Sequence, residues 1–291
     1  MRTVKYKKPN VVAEIGCNHM GNFDIAIELI DLAKSAGANY VKFQKRNNKE
    51  LLSNYQYNSP HPVPHNSYGE TYGEHREFLE FSVNQNRKLK EYCDSIGIIY
   101  STSVWDVTSA KEMITFNPDF LKVPSACNTN FEMLKVLRDE YEGQVQISVG
   151  MTTKKEIEDI VDFFEKTDQA KSRLLIYSCT SGYPVEFKDV ALLEINLLYE
   201  KYSHRINEIG FSGHHLGIAI DVAAYTLGAS WIERHFTKDR TWKGTDHSAS
   251  LEPTGLSKLV RNLNAAFEAL NFKTEDILPI EKIQREKLKF K

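Results

Sequence analysis

Short apolar runs alternate along this chain with segments whose apolar residues recur at helical spacing, and the alternation repeats eight times. The runs are VVAEIG, NYVKFQ, IIYSTS, DFLKVPS, VQISVG, LLIYSCT, INEIGFS and SWIERHF. Each is short and apolar on both sides, which a strand covered on both faces requires. Between the first two, Ala26, Leu29, Ile30 and Ala33 fall at i, i+3, i+4 and i+7, and Gly37 is placed to stop the helix. NQNRKLKEYCDSIG, SAKEMITF and NFEMLKVLRDEY predict further helices. Thr153 and Glu156 form a T-x-x-E capping box ahead of Ile157, Ile160, Val161 and Phe164. The last helix includes LSKLVRNLNAAFEAL. Eight strand–helix units in 291 residues predict an α/β chain folded as a single (β/α)8 barrel, with a doubly wound open sheet as the competing arrangement. One irregular insert, from about 47 to 72 and rich in Asn, Ser, Pro, His and Tyr, follows the second strand.

Composition excludes several functions. A hydrophobic content of 41% supports a sizeable core, and a net charge of -2 gives no reason to expect nucleic acid as a partner. No apolar run approaches the roughly 20 residues that span a bilayer. The N-terminal MRTVKYKKPN is basic, but no signal-peptide segment follows it. The four cysteines, Cys17, Cys93, Cys127 and Cys179, are scattered without a CxxC pair and suit free thiols in a reducing cytoplasm.

Barrel enzymes carry their chemistry at the C-terminal ends of the strands, and this chain gathers polar residues there. Glu14 and then Asn18 and His19 follow strand one; Lys42 and Gln44 lie on strand two; Ser101, Thr102 and Ser103 end strand three; Lys122 and Ser125 belong to strand four and its exit. Strand six runs into SCTSGYP, strand seven ends in FSGHH, and strand eight carries Glu233 and His235. Unpaired buried charge costs several kcal/mol, so so many polar ends point to a ligand. His214 and His235 lie 21 residues apart on consecutive strands. Neighbouring strands are about 4.8 Å apart, so both imidazoles can reach one divalent ion, with water or oxygen ligands completing the site. His215 competes with His214 for that role. Lys42 and Lys122, each between apolar neighbours, are candidate anion ligands for a small dianion. Snorkelling to solvent, a salt bridge to Glu14, or a Schiff-base role for either lysine are the other readings. Alternation along SWIERHF places Glu233 and His235 on one face and turns Arg234 outward towards a helix. TYGEHREFLEFS reads as the exposed start of a helix, with Glu74, His75 and Arg76 solvated.

Taken together, VVAEIGCNHMG, VKFQK, TYGEHREFLEFS, KVPSACNTN, ISVGM, CTSGYP, IGFSGHHLGIAI, WIERHF and TWKGTDHSASLEP resemble the sialic acid synthase family over nearly the whole chain. The resemblance implies a barrel enzyme that condenses phosphoenolpyruvate with N-acetylmannosamine or a related aldose, giving a nine-carbon 2-keto-3-deoxy acid and phosphate. It implies a divalent metal, manganese foremost and magnesium or cobalt as substitutes, held by His214 and His235. It implies that Lys42, Thr102, Lys122, Ser125, Ser181 and Ser212 bind phosphoenolpyruvate, that Gln44, Tyr183 and Asp246 face the sugar, and that Glu14 lies near the reacting carbons. A homodimer is the expected assembly.

The departures are specific. Many family members read GSGE or GSGD where this chain reads PSAC, so Cys127 stands where an acid would contact the sugar. Ser181 replaces the Asn of some bacterial members. Only about 20 residues follow the last helix, so the antifreeze-like C-terminal domain of bacterial members is expected to be absent, with the 47–72 insert covering the site instead. TWKGTDHSASLEP and TYGEHREFLEFS look like the animal-type synthases that accept a phosphorylated sugar, and Arg76 or Lys45 is the candidate extra cation for that phosphate. Two further readings stand beside the synthase: a Schiff-base pyruvate aldolase, and a catalytically silent sugar- or phosphate-binding paralogue.

Overall fold

The ring of strands closes between its first and last members, where Asn10 to Glu14 pair in parallel with Trp231 to His235. In this computed structural model, which describes residues 4–290, the strands are β1 (Asn10–Gly16), β2 (Tyr40–Lys45), β3 (Ile99–Val104), β4 (Phe120–Val123), β5 (Gln144–Ser148), β6 (Leu174–Cys179), β7 (Glu208–Gly213) and β8 (Trp231–His235). Each is hydrogen-bonded to its sequence neighbour in a closed eight-stranded barrel, so the open-sheet alternative is excluded.

The helices form where the apolar periodicity places them. Phe23–Ser35 buries Ala26, Leu29, Ile30 and Ala33, and the Asn22 side chain accepts from the Asp24 and Ile25 amides at its start. Lys154–Glu165 begins with the Thr153–Glu156 capping box and buries Ile157, Ile160, Val161 and Phe164. These faces join the outward residues of the strands in one core between barrel and helices. A second, smaller cluster of Val12, Phe120, Leu175, Tyr177 and Trp231 plugs the bottom of the barrel. Strand alternation carries the same inward faces upward from that plug, to Glu14, Lys122, Cys179 and Glu233. The barrel is therefore apolar below and ionic above, and any solvent-filled space must open at the top.

The insert is more ordered than its composition predicts. It contains the short helices Asn48–Leu51 and Asn54–Asn58 and a 3-10 turn at Pro64–Asn66. Asn47 and Ser53 supply the N-caps, and Ser53 and Gln56 form a capping box. Tyr72–Leu79 is helical, also with a capping box, from Thr71 and Glu74. A further helix, Pro279–Leu288, lies beyond the last one expected. Among the described residues no helix is long and apolar enough to cross a membrane.

Candidate active site

A cavity of about 440 Å³ opens at the C-terminal end of the barrel. Glu14, Lys42, Lys122, Ser125, Ser181, Ser212, Gln44, Tyr183, Asp246, His214 and His235 all line it, eleven of the twelve side chains expected there.

Its floor is ionic. Lys42 Nζ lies 2.5 Å from Glu14 Oε2 and 3.8 Å from Glu233 Oε2, and donates to Ser103 Oγ at 2.7 Å. Lys122 is paired with Glu233 Oε1, which also accepts from Ser212 Oγ at 2.9 Å. The Lys122 ammonium sits 4.6 Å from the centre of the Tyr177 ring. Gln44 donates to Glu14 Oε1 at 2.8 Å. Burial opposes ionisation of Glu233, but Lys122 and Lys42 outweigh it and hold the carboxyl below its usual range. Burial, reinforced by Lys42, pulls Lys122 below the usual lysine value despite Glu233. The salt bridge anticipated between Lys42 and Glu14 thus exists, and it lies on the cavity wall. Glu14 Oε2 and Glu233 Oε2 face Lys42 without hydrogen-bond geometry, so each keeps an acceptor unspent.

The histidines sit above this floor. The His214 and His235 ring centres are 5.5 Å apart. His214 Nδ1 is 3.0 Å from the Thr180 carbonyl, which can only accept, so Nδ1 carries the proton and Nε2 keeps its lone pair. Burial, with His235 nearby, lowers the His214 pKa to about 3, leaving a neutral ring. His235 Nδ1 is buried with no hydrogen-bond partner and lies 3.9 Å from Asp246 Oδ2. Among the described residues no three or more His, Cys, Asp or Glu side chains converge closely enough to enclose a metal. Two free imidazole nitrogens on one wall nonetheless fit a divalent ion that takes its other ligands from water or substrate oxygens. His215 does not compete: it is fully buried and faces Arg234 and Asp221 behind the strand. Arg234 turns outward as alternation requires and bonds Asp221 on the helix Ala219–Thr226 at 2.6 Å.

The walls narrow around Gly150, whose amide donates to Ser125 Oγ at 2.9 Å. A methyl there would stand 2.6 Å from Ser181 Oγ, so only glycine lets the two hydroxyls approach. Gly16 does the same at the end of β1: its φ is +56°, and a Cβ would press on Gln44 and Glu14.

Four expectations change. Thr102 is fully buried and does not reach the cavity; β3 presents Ser103 inward, because residues two apart share a face and Ser103, not Thr102, pairs with inward Gln44. Lys45 also points away from the cavity, towards Glu80 and Glu112 at 3.8 and 3.5 Å. Cys127 is buried, its thiol pushed up to about 12 mainly by desolvation, and Ala126 takes the wall position. The TYGEHREFLEFS helix is not simply solvated: His75 is buried and Arg76 lines the cavity. Arg46 and Trp105 are wall residues that sequence reasoning missed; the Arg46 guanidinium stacks 4.1 Å from the Trp105 ring. Lys42, Gln44 and Arg46 share one parity, a signal that was available but stopped short where the strand seemed to end.

The chain matches the NeuB family over residues 29–275. It is 39% identical over 278 residues to human N-acetylneuraminate-9-phosphate synthase, covering 96% of this chain and 76% of that protein. It is 30% identical to the N,N'-diacetyllegionaminic acid synthase of Campylobacter jejuni, over 91% of this chain and 78% of the relative. Among solved structures, the N-acetylneuraminic acid synthetase of Leptospira borgpetersenii superposes with a TM-score of 0.81 at 30% identity, covering 98% of this chain and 94% of that one. With that span of similarity and that barrel, the chain belongs to the NeuB family of sialic acid synthases.

Proposed function

We propose that this chain condenses phosphoenolpyruvate with the open-chain form of N-acetylmannosamine 6-phosphate, consuming one water and giving a phosphorylated nine-carbon 2-keto-3-deoxy acid and inorganic phosphate. The observation that carries the reading is one cavity with two buried ammonium groups at its floor and two imidazoles with free ring nitrogens on its wall.

Lys42 and Lys122 receive the phosphate and carboxylate of phosphoenolpyruvate, helped by the hydroxyls of Ser103, Ser125, Ser181 and Ser212. Internal carboxylates hold both ammonium groups in place beforehand, so little reorganisation accompanies binding. His214 and His235 hold the divalent metal, Mn²⁺ foremost; bound there, it supplies Lewis acidity to a substrate oxygen or water. Gln44, Tyr183 and Asp246 orient the sugar so that its aldehyde carbon meets C3 of phosphoenolpyruvate. Holding the pair in register removes much of the entropic barrier, since effective molarities for well-oriented reactants reach about 10⁵ M and above. The C3 electrons form the new carbon–carbon bond while the aldehyde π electrons move onto its oxygen, which takes up a proton to become the product hydroxyl; C2 becomes cationic, and water adds there. Glu14, with its unspent Oε2, takes the proton from that water. Collapse of the tetrahedral centre forms the 2-keto group from the added hydroxyl, breaks the C2–O bond to phosphate, and the hydroxyl proton leaves with the phosphate.

The phosphorylated acceptor is favoured by Arg76. It lines the cavity; among the described residues it takes part in no salt bridge, although its charge helps lower the Asp246 carboxyl on the same wall. Tyr72 Oη accepts from Arg76 Nε at 3.0 Å and Nη2 at 2.6 Å, which fixes the guanidinium without neutralising it. The name of the human relative, a 9-phosphate synthase, supports the same choice.

Mass spectrometry of products formed from phosphoenolpyruvate with N-acetylmannosamine, its 6-phosphate, mannose and a diacetamido hexose tests this reading. A 9-phosphorylated product formed with at least tenfold preference over the unphosphorylated sugar is expected. Preference for an unphosphorylated sugar would remove the role given to Arg76.

A further inference from the structure

The ladder between β7 and β8 ends at the pair Gly213↔Arg234. His214 lies one residue past that point on one strand and His235 one residue past it on the other. Backbone pairing therefore does not set the distance between the two imidazoles on this side. The Arg234 side chain bridges the gap instead. Its Nη2 donates to the His215 carbonyl at 2.5 Å, and its Nη1 donates to the Gly217 carbonyl at 2.8 Å. Nη1 also reaches Asp221 Oδ2 at 2.6 Å and His215 Nε2 at 3.1 Å.

Stability alone is a poor reason for this cluster. All three side chains are fully enclosed. Arg234 Nε, His215 Nδ1 and Asp221 Oδ1 are buried without hydrogen-bond partners. A buried ion pair is often no more stabilising than packed apolar groups of equal volume, and unpartnered polar atoms add a cost. What the cluster does provide is a planar, rigid donor fork across two strand ends that carry the histidines.

We propose that Arg234, locked by Asp221 and His215, is a positioning residue for the metal site: it fixes the separation and tilt of His214 and His235 by tying the end of β8 to the loop that leaves β7. This rests on the reading that those two histidines hold the metal. Arg234 touches neither substrate nor metal, and its effect passes through the backbone on either side of it.

The test compares wild type, R234K, D221N and H235Q, each stripped of metal and titrated with Mn²⁺, with free Mn²⁺ read by electron paramagnetic resonance. Co²⁺-loaded samples give an absorption spectrum that reports ligand geometry. H235Q should lose the tight site. R234K and D221N should bind Mn²⁺ about 10–100-fold more weakly, as loss of outer partners of metal ligands typically does, and should shift the Co²⁺ bands. Their affinity for phosphoenolpyruvate without metal should stay within about twofold of wild type. D221N preserves shape, so it serves if R234K fails to fold. A folded D221N or R234K with lower melting temperature but unchanged Mn²⁺ affinity and Co²⁺ spectrum would show a merely structural role and overturn the proposal. Equal Mn²⁺ binding by wild type and H235Q would instead overturn the histidine site itself, and the proposal with it.

Discussion

Glu14 and Lys42 pair across β1 and β2 in register, and their side chains meet at 2.5 Å on the wall of the cavity with only 2% of either exposed. Neither group is spent on folding alone, because both line the cavity at the mouth of the barrel.

That geometry separates two substitutions. K42M leaves Glu14 as a buried, uncompensated charge, which costs about 3–5 kcal/mol. Urea denaturation should show that loss, and K42M/E14Q should recover part of it, because the double variant removes both charges. E14Q alone should lower kcat by about 10²–10⁴, the usual range for a general base, while leaving the KM for phosphoenolpyruvate near wild type. A KM change without a kcat change would place Glu14 in binding instead.

Arg76 separates acceptors. A charge-assisted hydrogen bond is worth about 1.5–3 kcal/mol, or roughly 10–100-fold. R76Q should raise the KM of the phosphorylated sugar by that factor and leave phosphoenolpyruvate unaffected in steady-state kinetics. Y72F, which frees the guanidinium from its anchor, should give a smaller change in the same direction.

The insert is fastened to the loop that follows β8, whose Thr245 and Asp246 line the cavity, while no residue of 47–72 lines it. Tyr68 donates to the Lys243 carbonyl at 2.5 Å, the Lys243 ammonium lies 4.6 Å from its ring centre, and the Phe78 ring stacks on the Tyr68 ring at 5.0 Å. Y68A should loosen that clasp, raising the KM of the sugar several-fold and speeding limited proteolysis within 47–72. Unchanged sugar kinetics in a faster-cleaved variant would detach the insert from the site.

Acid should destabilise the fold through buried neutral histidines. Burial lowers His19 to about 3, and burial together with Arg76 lowers His75 to about 4. Both are depressed below the unfolded value of 6.5, so the unfolded chain binds more protons in acid. Their contribution is complete above pH 6.5 and is lost as pH falls towards those folded values. In metal-free protein His214, lowered the same way, adds a third such group, and together they give a slope of roughly 4 kcal/mol per pH unit between about pH 6 and 4.5. Denaturant titrations should show it, and H19Q should remove about a third.

Most of the barrel was legible because apolar runs and helical periodicity switch eight times, and those signals are local. The wall residues were legible wherever a polar side chain interrupts an apolar strand, as at Glu14, Lys42, Lys122 and Glu233. Thr102 misled because resemblance selects a motif, whereas strand parity selects its neighbour Ser103. The sequence offers Arg76 only as one of two cations for a sugar phosphate, and Tyr72 not at all. They enter from a helix outside the barrel, so no strand pattern announces them, and the fold alone brings them to the rim. The helices of the insert were missed because Asn and Ser read as loop residues, yet here they act as N-caps at Asn47 and Ser53.

Phosphate release from phosphoenolpyruvate tests the central claim most directly, using metal-stripped protein with and without Mn²⁺ and each aldose in turn. The account predicts release only when Mn²⁺ and an acceptor sugar are both present, fastest with N-acetylmannosamine 6-phosphate. Equal release without metal would contradict the roles of His214 and His235, and no release with any acceptor from folded, Mn²⁺-bound protein would contradict the synthase reading itself.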